Sequence, residues 1–231
     1  MDYRFYQKGI ILALLFVALS QKQTICAQTF DQWRDSLTVL AKAIDQHPQS
    51  VDLRLRKAAI NIELGQWNYA IEEYGRVLLI EPRNLTALYF RAYAYEHLRS
   101  HEQAKADYES ILRLVPSNFE ARLGLAMTYR KLGKSIDALD ALSQLVQFSP
   151  DSAYAYAARA GLEVELKQYD AALYDWDEAI RLDTANVDFR VSKVDVLLAM
   201  NKKTEARTLL NEMIRMGVPR AALKEWLERC K

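Results

Sequence analysis

Prolines recur at a constant step along this chain, and that step restricts its possible folds more than any other feature. Pro48, Pro82, Pro116 and Pro150 follow one another at intervals of 34 residues. Two more sets share the interval: Ala70, Ala104, Ala138, Ala172 and Ala206, and Leu64, Leu98, Leu132, Leu166 and Met200. A fixed period of about 20–50 residues is typical of stacked repeat proteins, whose units pack on their neighbours. We therefore predict one elongated array rather than several globular domains.

Each repeat has the pattern of a helix pair. Five units align on the period: 51–84, 85–118, 119–152, 153–186 and 187–220. Two apolar-periodic stretches flank a break near the fifteenth residue, and the proline column closes the unit, which predicts helix, turn, helix, turn. The breaks fall at Gly65, Arg99, Gly133, Lys167 and Asn201. Glycine and asparagine suit a left-handed backbone there, whereas arginine and lysine suit it less.

The loops between units carry signals that stop one helix and start the next. Proline prevents the second helix from continuing, because its ring has no N–H to donate. Asn84, Asn118 and Ser152 follow the prolines by two residues and are predicted to cap the next helix. Alanine or valine at the eighth position and alanine at the twentieth predict close contact between the paired helices, since a larger residue would cost about 1–3 kcal/mol.

The two ends of the array differ from the internal units. Residues 30–46 match the second helix of a unit, and Pro48 closes them, so we predict an opening half-repeat over residues 30–50. Residues 221–229 predict a short amphipathic capping helix. Terminal caps cover the apolar face that an end unit would otherwise expose. Residues 28–231 are therefore predicted to form a single repeat domain.

One segment allows the repeat to be compared with a known family. Leu64-Gly65-Gln66-Trp67-Asn68-Tyr69-Ala70-Ile71, followed by Tyr74 and Pro82, resembles the tetratricopeptide repeat family. The resemblance covers residues 51–220 and recurs five times in register. It implies an all-α fold, a right-handed superhelical solenoid of helix-turn-helix repeats. The family's tryptophan near position four is replaced here by Arg54, Leu88, Arg122, Tyr156 and Arg190, and Thr184 stands where a proline is expected.

The first 27 residues have the layout of a secretory signal peptide. Arg4 and Lys8 precede an apolar run over residues 10–19, and a polar stretch leads to residues 25–27. The run is about half of the 20 or so residues that a membrane-spanning helix needs. We predict cleavage after Ala27, export to the periplasm or the exterior, and no membrane span in the mature chain. The alternative is a lipoprotein acylated at Cys26, but Ile25 is too large for the small residues that usually precede such a cysteine.

Charge and cysteine content argue against several partner classes. The net charge is +1, with 51% hydrophobic and 26% charged residues, which is ordinary for a folded soluble protein. Without a basic surplus there is no long-range attraction to nucleic acid. Removal of residues 1–27 would leave Cys230 as the one cysteine, so no internal disulfide is predicted.

The chain lacks the common catalytic motifs. It contains no P-loop, GxGxxG, HExxH or GxSxG pattern. His97 and His101 lie beside Glu96 and Glu102, which superficially suggests a metal site, but the turn at Arg99 separates the two histidines. We interpret them as solvated turn residues. The sequence therefore predicts no enzymatic activity, no metal, no cofactor and no small-molecule substrate.

The resemblance also implies where a partner would bind. In the proteins that this chain resembles, the first helix of each unit lines a concave groove at positions two, five, nine and twelve. The corresponding residues here are called the groove face: Leu55, Tyr89, Tyr93, Glu96, Leu123, Met127, Arg130, Tyr154 and Gly161. Spacings of three and four place them on one side of each helix. Exposed apolar groups there favour partner binding; the alternative is that the tyrosines fill the groove against neighbouring helices.

Two further patterns narrow the partner. The family's clamp for a terminal carboxylate has Leu55, Ala59, Phe90 and Gly124 at its positions here, so recognition of a chaperone's C-terminal tail is not predicted. Basic residues recur on the first helices at positions four and seven: Arg54, Arg122 and Arg190, and Lys57, Arg91, Arg159 and Lys193. We interpret them as packing residues whose stems cover apolar surface, rather than as an anion-binding stripe.

Together these features predict a non-catalytic scaffold or adaptor in the cell envelope that holds a protein or peptide segment against the groove face. Tyr89, Tyr93 and Met127 would bury apolar side chains of the partner, while Glu96 and Arg130 would set its register. The alternative is a structural subunit of a larger envelope assembly or secretion complex, which would contact its partners through the convex face and the ends of the stack.

Overall fold

The computed structural model describes residues 30–231, and the regular structure of this range is entirely α-helical. Its helices are α1 Phe30–Gln46, α2 Val51–Glu63, α3 Trp67–Ile80, α4 Leu85–His97, α5 His101–Leu114, α6 Phe119–Lys131, α7 Ser135–Phe148, α8 Ala153–Glu165, α9 Tyr169–Leu182, α10 Val187–Ala199, α11 Lys203–Arg215 and α12 Lys224–Arg229. The predicted all-α repeat solenoid is confirmed. No helix within these residues is long and apolar enough to cross a bilayer. The predicted signal peptide lies outside the described residues.

The helices form pairs that stack along the array. In each unit the first helix packs against the second, as α2 does against α3. The second helix also packs against the first helix of the following unit, as α3 does against α4. Each internal first helix therefore lies between two second helices, and the apolar core continues from one unit to the next.

The same turn closes every helix pair. The break residues all have a left-handed backbone, with φ of 68° at Gly65, 58° at Arg99, 72° at Gly133, 59° at Lys167 and 58° at Asn201. In the second unit the Arg99 N–H donates to the Glu96 carbonyl at 3.1 Å and the Ser100 N–H donates to the Tyr95 carbonyl at 2.9 Å. These two bonds are those of a Schellman motif. The predicted break positions are confirmed, including the two with arginine and lysine.

Side-chain caps begin the first helices of all five units. Asn84 accepts a hydrogen bond from the Ala87 N–H at 2.9 Å, and Asn118 accepts one from the Ala121 N–H at 2.8 Å. Ser152 accepts from the Ala155 N–H at 3.3 Å. The predicted caps are confirmed, and Ser50 and Asn186 cap α2 and α10 in the same way. Each cap supplies one of the acceptors that a helix N-terminus lacks.

The small residues of the eighth and twentieth positions lie at the contact between paired helices. Both columns are fully buried, with 0% exposure for Ala58, Ala92, Ala126, Ala160, Val194, Ala70, Ala104, Ala138, Ala172 and Ala206. Tyr74, Leu142 and Leu210, from the twenty-fourth position, are buried beside them. Close packing of this kind leaves no space for a larger side chain.

The C-terminal end of the array is covered by a helix that is shorter than the sequence predicts. Helix α12 begins at Lys224 rather than near residue 221, because the Ala222 N–H bonds the Pro219 carbonyl and the Leu223 N–H bonds the Arg220 carbonyl in a tight turn. Leu223 and Cys230 are buried against the last unit. Trp226 on α12 donates to Asp195 on α10 at 3.0 Å, which fixes the cap in place.

Candidate functional site

The groove face is carried by four successive first helices. Leu55 lies on α2, three of the residues lie on α4, three on α6, and Tyr154 and Gly161 lie on α8. All nine keep some solvent exposure. Tyr154 is the most open of the large apolar ones, with 48% of its surface exposed. Apolar groups that stay accessible along a row of helices offer a partner a surface to cover.

The tyrosines of α4 are packed on one side by neighbouring helices. The ring of Tyr89 meets that of Tyr108 edge to face, with centroids 6.0 Å apart, and Tyr93 meets Trp67 at 6.0 Å in the same manner. Both tyrosines are half-buried. The interpretation that they fill space between helices therefore holds for part of each ring, while the rest of the ring remains exposed. Such rigid, half-packed aromatics are suited to form a binding surface at low entropic cost.

An aromatic stack joins the first two units beside the groove face. The His97 imidazole lies flat on Trp67, with ring centroids 3.9 Å apart and planes 4° from parallel. Tyr93 contacts the same imidazole edge to face at 4.6 Å. Burial lowers the pKa of His97, and the nearby charge of Lys131 lowers it further. His97 is therefore a stacking residue held against Trp67 and Tyr93, and it remains exposed to solvent at the turn.

Glu96, which was predicted to set the register of a partner, is engaged within the fold. Its side chain is only 9% exposed and accepts a hydrogen bond from the Thr128 hydroxyl at 2.7 Å. Lys131 forms an ion pair with the same carboxylate, and His101 Nδ1 lies 3.4 Å from it. Because Thr128 and Lys131 belong to the third unit, Glu96 joins two units and its oxygens are already occupied.

Arg130 forms the next link in the same series. Its guanidinium lies 3.1 Å from Glu165 of the fourth unit, with about a third of the Arg130 side chain and half of the Glu165 side chain exposed. An exposed pair of this kind contributes little stability, about 0–1 kcal/mol. It can exchange its partner easily, so Arg130 remains able to meet a carboxylate of a bound segment.

Glycines on the first helices have two different roles. A Cβ at Gly161 would have no heavy atom within 4 Å, so the surface beside Tyr154 is open at this point. A Cβ at Gly124 would lie 2.5 Å from the Tyr108 ring, so glycine is needed there for packing. Gly161 therefore leaves room on the groove face, and Gly124 allows two helices to meet.

The basic columns are structural. Arg54 donates to the Pro48 carbonyl at 2.8 Å, and Arg122 donates to the Pro116 carbonyl, which ties each first helix to the loop before it. At the seventh position Arg91 bonds Asp107 at 2.7 Å and Arg159 bonds Asp175 at 2.6 Å. Arg54, Lys57, Arg91, Arg159 and Lys193 are paired with carboxylates within the fold. Arg122 and Arg190 are buried and bond neutral acceptors instead. The interpretation of the basic columns as packing groups is confirmed.

The two histidines near the second turn lie on different helices. His97 ends α4 and His101 begins α5, as the position of the turn predicted. Among residues 30–231 there is no group of three or more histidine, cysteine, aspartate or glutamate side chains placed to hold a metal ion.

Burial of several carboxylates was not predicted from the sequence, and one of them, Glu163, lacks a full set of partners. Glu163 on α8 is 6% exposed, and its Oε2 atom has no hydrogen-bond partner within the described residues. Burial and the neighbouring Asp175 raise the pKa of Glu163 to about 7. Arg159, whose Nε lies 3.9 Å from the Glu163 carboxylate, lowers this pKa in part. The sequence contains a signal for this residue, because the eleventh position carries an acid in one unit and uncharged groups in the others. The residues at this position are Asn61, Tyr95, Tyr129, Glu163 and Leu197.

Comparison with family profiles identifies one family over part of this chain. Two family profiles, both described as tetratricopeptide repeat, match residues 62–119 and 97–162. Human general transcription factor 3C polypeptide 3 is 27% identical over 137 residues, which are 58% of this chain and 15% of that protein. A tetratricopeptide repeat and J domain-containing co-chaperone of Fusarium oxysporum is 31% identical over 127 residues, or 54% of this chain and 24% of that protein. This chain thus spans less than a quarter of either relative.

Solved structures show the same fold. A tetratricopeptide repeat protein from Parabacteroides merdae superposes with a TM-score of 0.58 at 22% identity, covering 87% of this chain and 78% of that one. YrrB, a tetratricopeptide repeat protein with an unusual peptide-binding site, superposes with a TM-score of 0.59 at 18% identity, covering 78% of this chain and 92% of that one. At these identities the likeness concerns the fold alone.

Proposed function

The chain belongs to the tetratricopeptide repeat family, and from this premise we propose that it is a non-catalytic scaffold or adaptor. It binds a protein segment along the groove face, in the cell envelope. The fold supports the general role of a protein–protein interaction scaffold, since repeat solenoids present long continuous surfaces. Its partner is a protein or peptide rather than a nucleic acid or a small substrate.

The observation that carries the proposal is the row of accessible apolar groups on the first helices. Tyr89 and Met127 are half-buried, Tyr154 is about half exposed, and Gly161 leaves open space beside them. A partner could therefore cover apolar surface at these positions. YrrB, with its peptide-binding site, is a precedent in the same fold.

Binding would depend on a few buried side chains of the partner rather than on long-range charge. Rings held on one side by neighbouring helices lose little freedom when a partner covers the other side. Arg130 would exchange Glu165 for a carboxylate of the segment and so help to set its register. With Glu96 already engaged, we expect an affinity that changes little with salt, because exposed charges contribute most of the salt dependence.

The proposed location rests on the first 27 residues. Their charged start, short apolar run and small residue at the end are those of an export signal. We propose that the protein acts in the periplasm or outside the cell as a soluble chain, with anchoring through an acylated Cys26 as the alternative. Intact mass measurement of the purified protein distinguishes the two, because a chain acylated at Cys26 is heavier than one starting at Gln28 by residues 26 and 27 and the attached lipid.

Comparative affinity capture tests the use of the groove face. Residues 28–231 would be immobilised and exposed to envelope extract beside two groove variants, one with Tyr89→Ala, Tyr93→Ala and Met127→Ala, and one with Gly161→Leu. The leucine fills open space and improves helix propensity, so it blocks the surface without removing packing. We expect a protein that the wild type retains to be lost from both variants.

The matched control for this capture is Ile136→Ala on α7. Ile136 is 80% exposed on a second helix, away from the groove face. All variants would first be compared by circular dichroism for intact helicity. Retention of the same proteins by the wild type and by both groove variants would refute binding at the groove face.

A second candidate function rests on the outer surface of the second helices. Leu79 is 85% exposed, Ile136 is 80% exposed, and Tyr69 and Tyr174 are each 63% exposed. Apolar side chains this open favour a structural subunit of a larger envelope assembly that makes contacts through its convex face. Loss of a captured protein with Ile136→Ala, and its retention by the Gly161→Leu variant, would support this candidate instead.

A further inference from the structure

Within residues 30–231, helix α1 lacks a neighbour that the other second helices have. In the complete units the second helix packs against its own first helix as well as against the next unit. Helix α1 packs against α2, the first helix of the next unit, but among residues 30–231 no first helix precedes it. The side of α1 that would meet its own first helix is therefore uncovered within the described residues.

Comparison along the 34-residue period identifies the uncovered residues. Alanine at the twentieth position is 0% exposed in all five units, and the twenty-fourth position is at most 8% exposed. The equivalent residues of α1, Ser36 and Leu40, are both partly exposed. At the twenty-third position Glu73 is 5% exposed, whereas Val39 of α1 is 67% exposed. Together with Ala43, these residues form what we call the open face of α1: Ser36, Val39, Leu40 and Ala43.

The open face has the composition of a helix-packing surface. Ser36 and Ala43 are small and lie seven residues apart, so they permit close approach along the helix, and Val39 and Leu40 supply apolar bulk between them. The opposite end of the array is different, since α12 covers it and buries Leu223 and Cys230. Because only the N-terminal end of the array has an uncovered face within residues 30–231, two copies can pair there, but copies cannot join end to end into a filament.

The charges beside the open face of α1 are complementary to the same charges on a second copy of α1. Asp35 and Lys42 are both exposed, lie seven residues apart on the same flank, and make no ion pair within residues 30–231. When two such helices run antiparallel across a two-fold axis, the acid of one lies opposite the base of the other, twice. Flanking pairs of this kind set partner choice and orientation in helix pairs. Pairing of two copies at the open face rests on the proposed cleavage after Ala27, which would leave Gln28 and Thr29 before α1.

We propose that the open face of α1 docks antiparallel on the open face of a second copy, forming a two-fold symmetric dimer with Asp35 opposite Lys42 of the partner subunit. A contact between two helices of this length is small for a specific interface. The dimer should therefore exchange with monomer rather than persist at high dilution. It would join two scaffolds at their N-terminal ends and present two groove faces.

Sedimentation velocity over about a hundredfold range of concentration tests the proposal, because a weak dimer shifts with concentration. Residues 28–231, which contain the whole described solenoid, should sediment as a monomer when dilute and increasingly as a dimer when concentrated. Val39→Glu places a charge on an already exposed position, so it should spare the fold and weaken the dimer by at least about tenfold. The control Ile136→Glu, at another exposed apolar residue, should leave the dimer unchanged.

Charge exchange tests the antiparallel arrangement. Asp35→Lys and Lys42→Asp should each weaken self-association, because each places like charges opposite one another. An equimolar mixture of the two variants should associate again, since all pairs between the two are then complementary. A wild type that stays monomeric throughout would overturn the proposal, as would a dimer insensitive to Val39→Glu. A mixture that associates no better than either variant alone would overturn the antiparallel pairing.

Discussion

At the scale of single residues, the fold buries the Glu163 carboxylate without giving both of its oxygens a hydrogen-bond partner. Arg159 bonds Asp175 closely, at 2.6 Å, and leaves Glu163 at 3.9 Å with one oxygen unpaired. One cation therefore lies between two carboxylates in a buried setting. Glu163, the more distant acid, is therefore destabilised in its ionised form, because burial disfavours the charge and Asp175 repels it.

The pH dependence of stability follows from this arrangement. The pKa of Glu163 is raised from 4.5 to about 7, so the folded state prefers the neutral acid. Its contribution to stability is then complete below about pH 4.5 and is lost as the pH rises through 7. Glu163→Gln, which is always neutral, should match the wild type near pH 4.5 and exceed its free energy of unfolding by about 2–3 kcal/mol at pH 8.

Urea denaturation at the two pH values measures the difference. Glu165→Gln is the control, because Glu165 is largely exposed and two residues away, and it should show no comparable change with pH. A Glu163→Gln protein that is less stable than the wild type at pH 8 would show that the charge stabilises the fold through Arg159, contrary to this account.

At the scale of the helix pair, the repeats share one backbone but not one sequence. The turn at the fifteenth position is left-handed in every unit, yet only two of the five have glycine there. An L-residue in this region crowds its Cβ against the backbone at a cost of about 1–2 kcal/mol. Arg99 and Lys167 therefore carry strain that Gly65 and Gly133 do not.

Substitution of the strained residues should stabilise the array. Arg99→Gly and Lys167→Gly should each raise the free energy of unfolding by about 1 kcal/mol, after allowance for the freedom that glycine adds to the unfolded chain. Arg99→Ala is the matched control, since it removes the same side chain but keeps the Cβ, and it should bring no such gain. Thermal denaturation measures all three. Equal gains from alanine and glycine at residue 99 would contradict the backbone explanation.

At the scale of the whole molecule, the 34-residue period predicts the local features that recur in each unit. It does not predict contacts that occur in one unit only. Break positions such as Arg99, caps such as Asn84 and the alanine columns follow from local chemistry at a constant step. The contacts of Glu96 were not predicted, because its partners Thr128 and Lys131 lie 32 and 35 residues away along the chain. Whether they approach Glu96 depends on how the units stack. The start of α12 was not predicted, because a tight turn after Pro219 competes with the helical pattern.

Photocrosslinking in the cell tests whether the groove face holds a protein segment. A photoreactive phenylalanine analogue would replace Met127 on the groove face or, in a second strain, Ile136 on α7. We predict a discrete protein adduct from residue 127 that Gly161→Leu abolishes, and no equivalent adduct from residue 136. Adducts from residue 136 alone would contradict binding at the groove face and move the binding surface to the second helices.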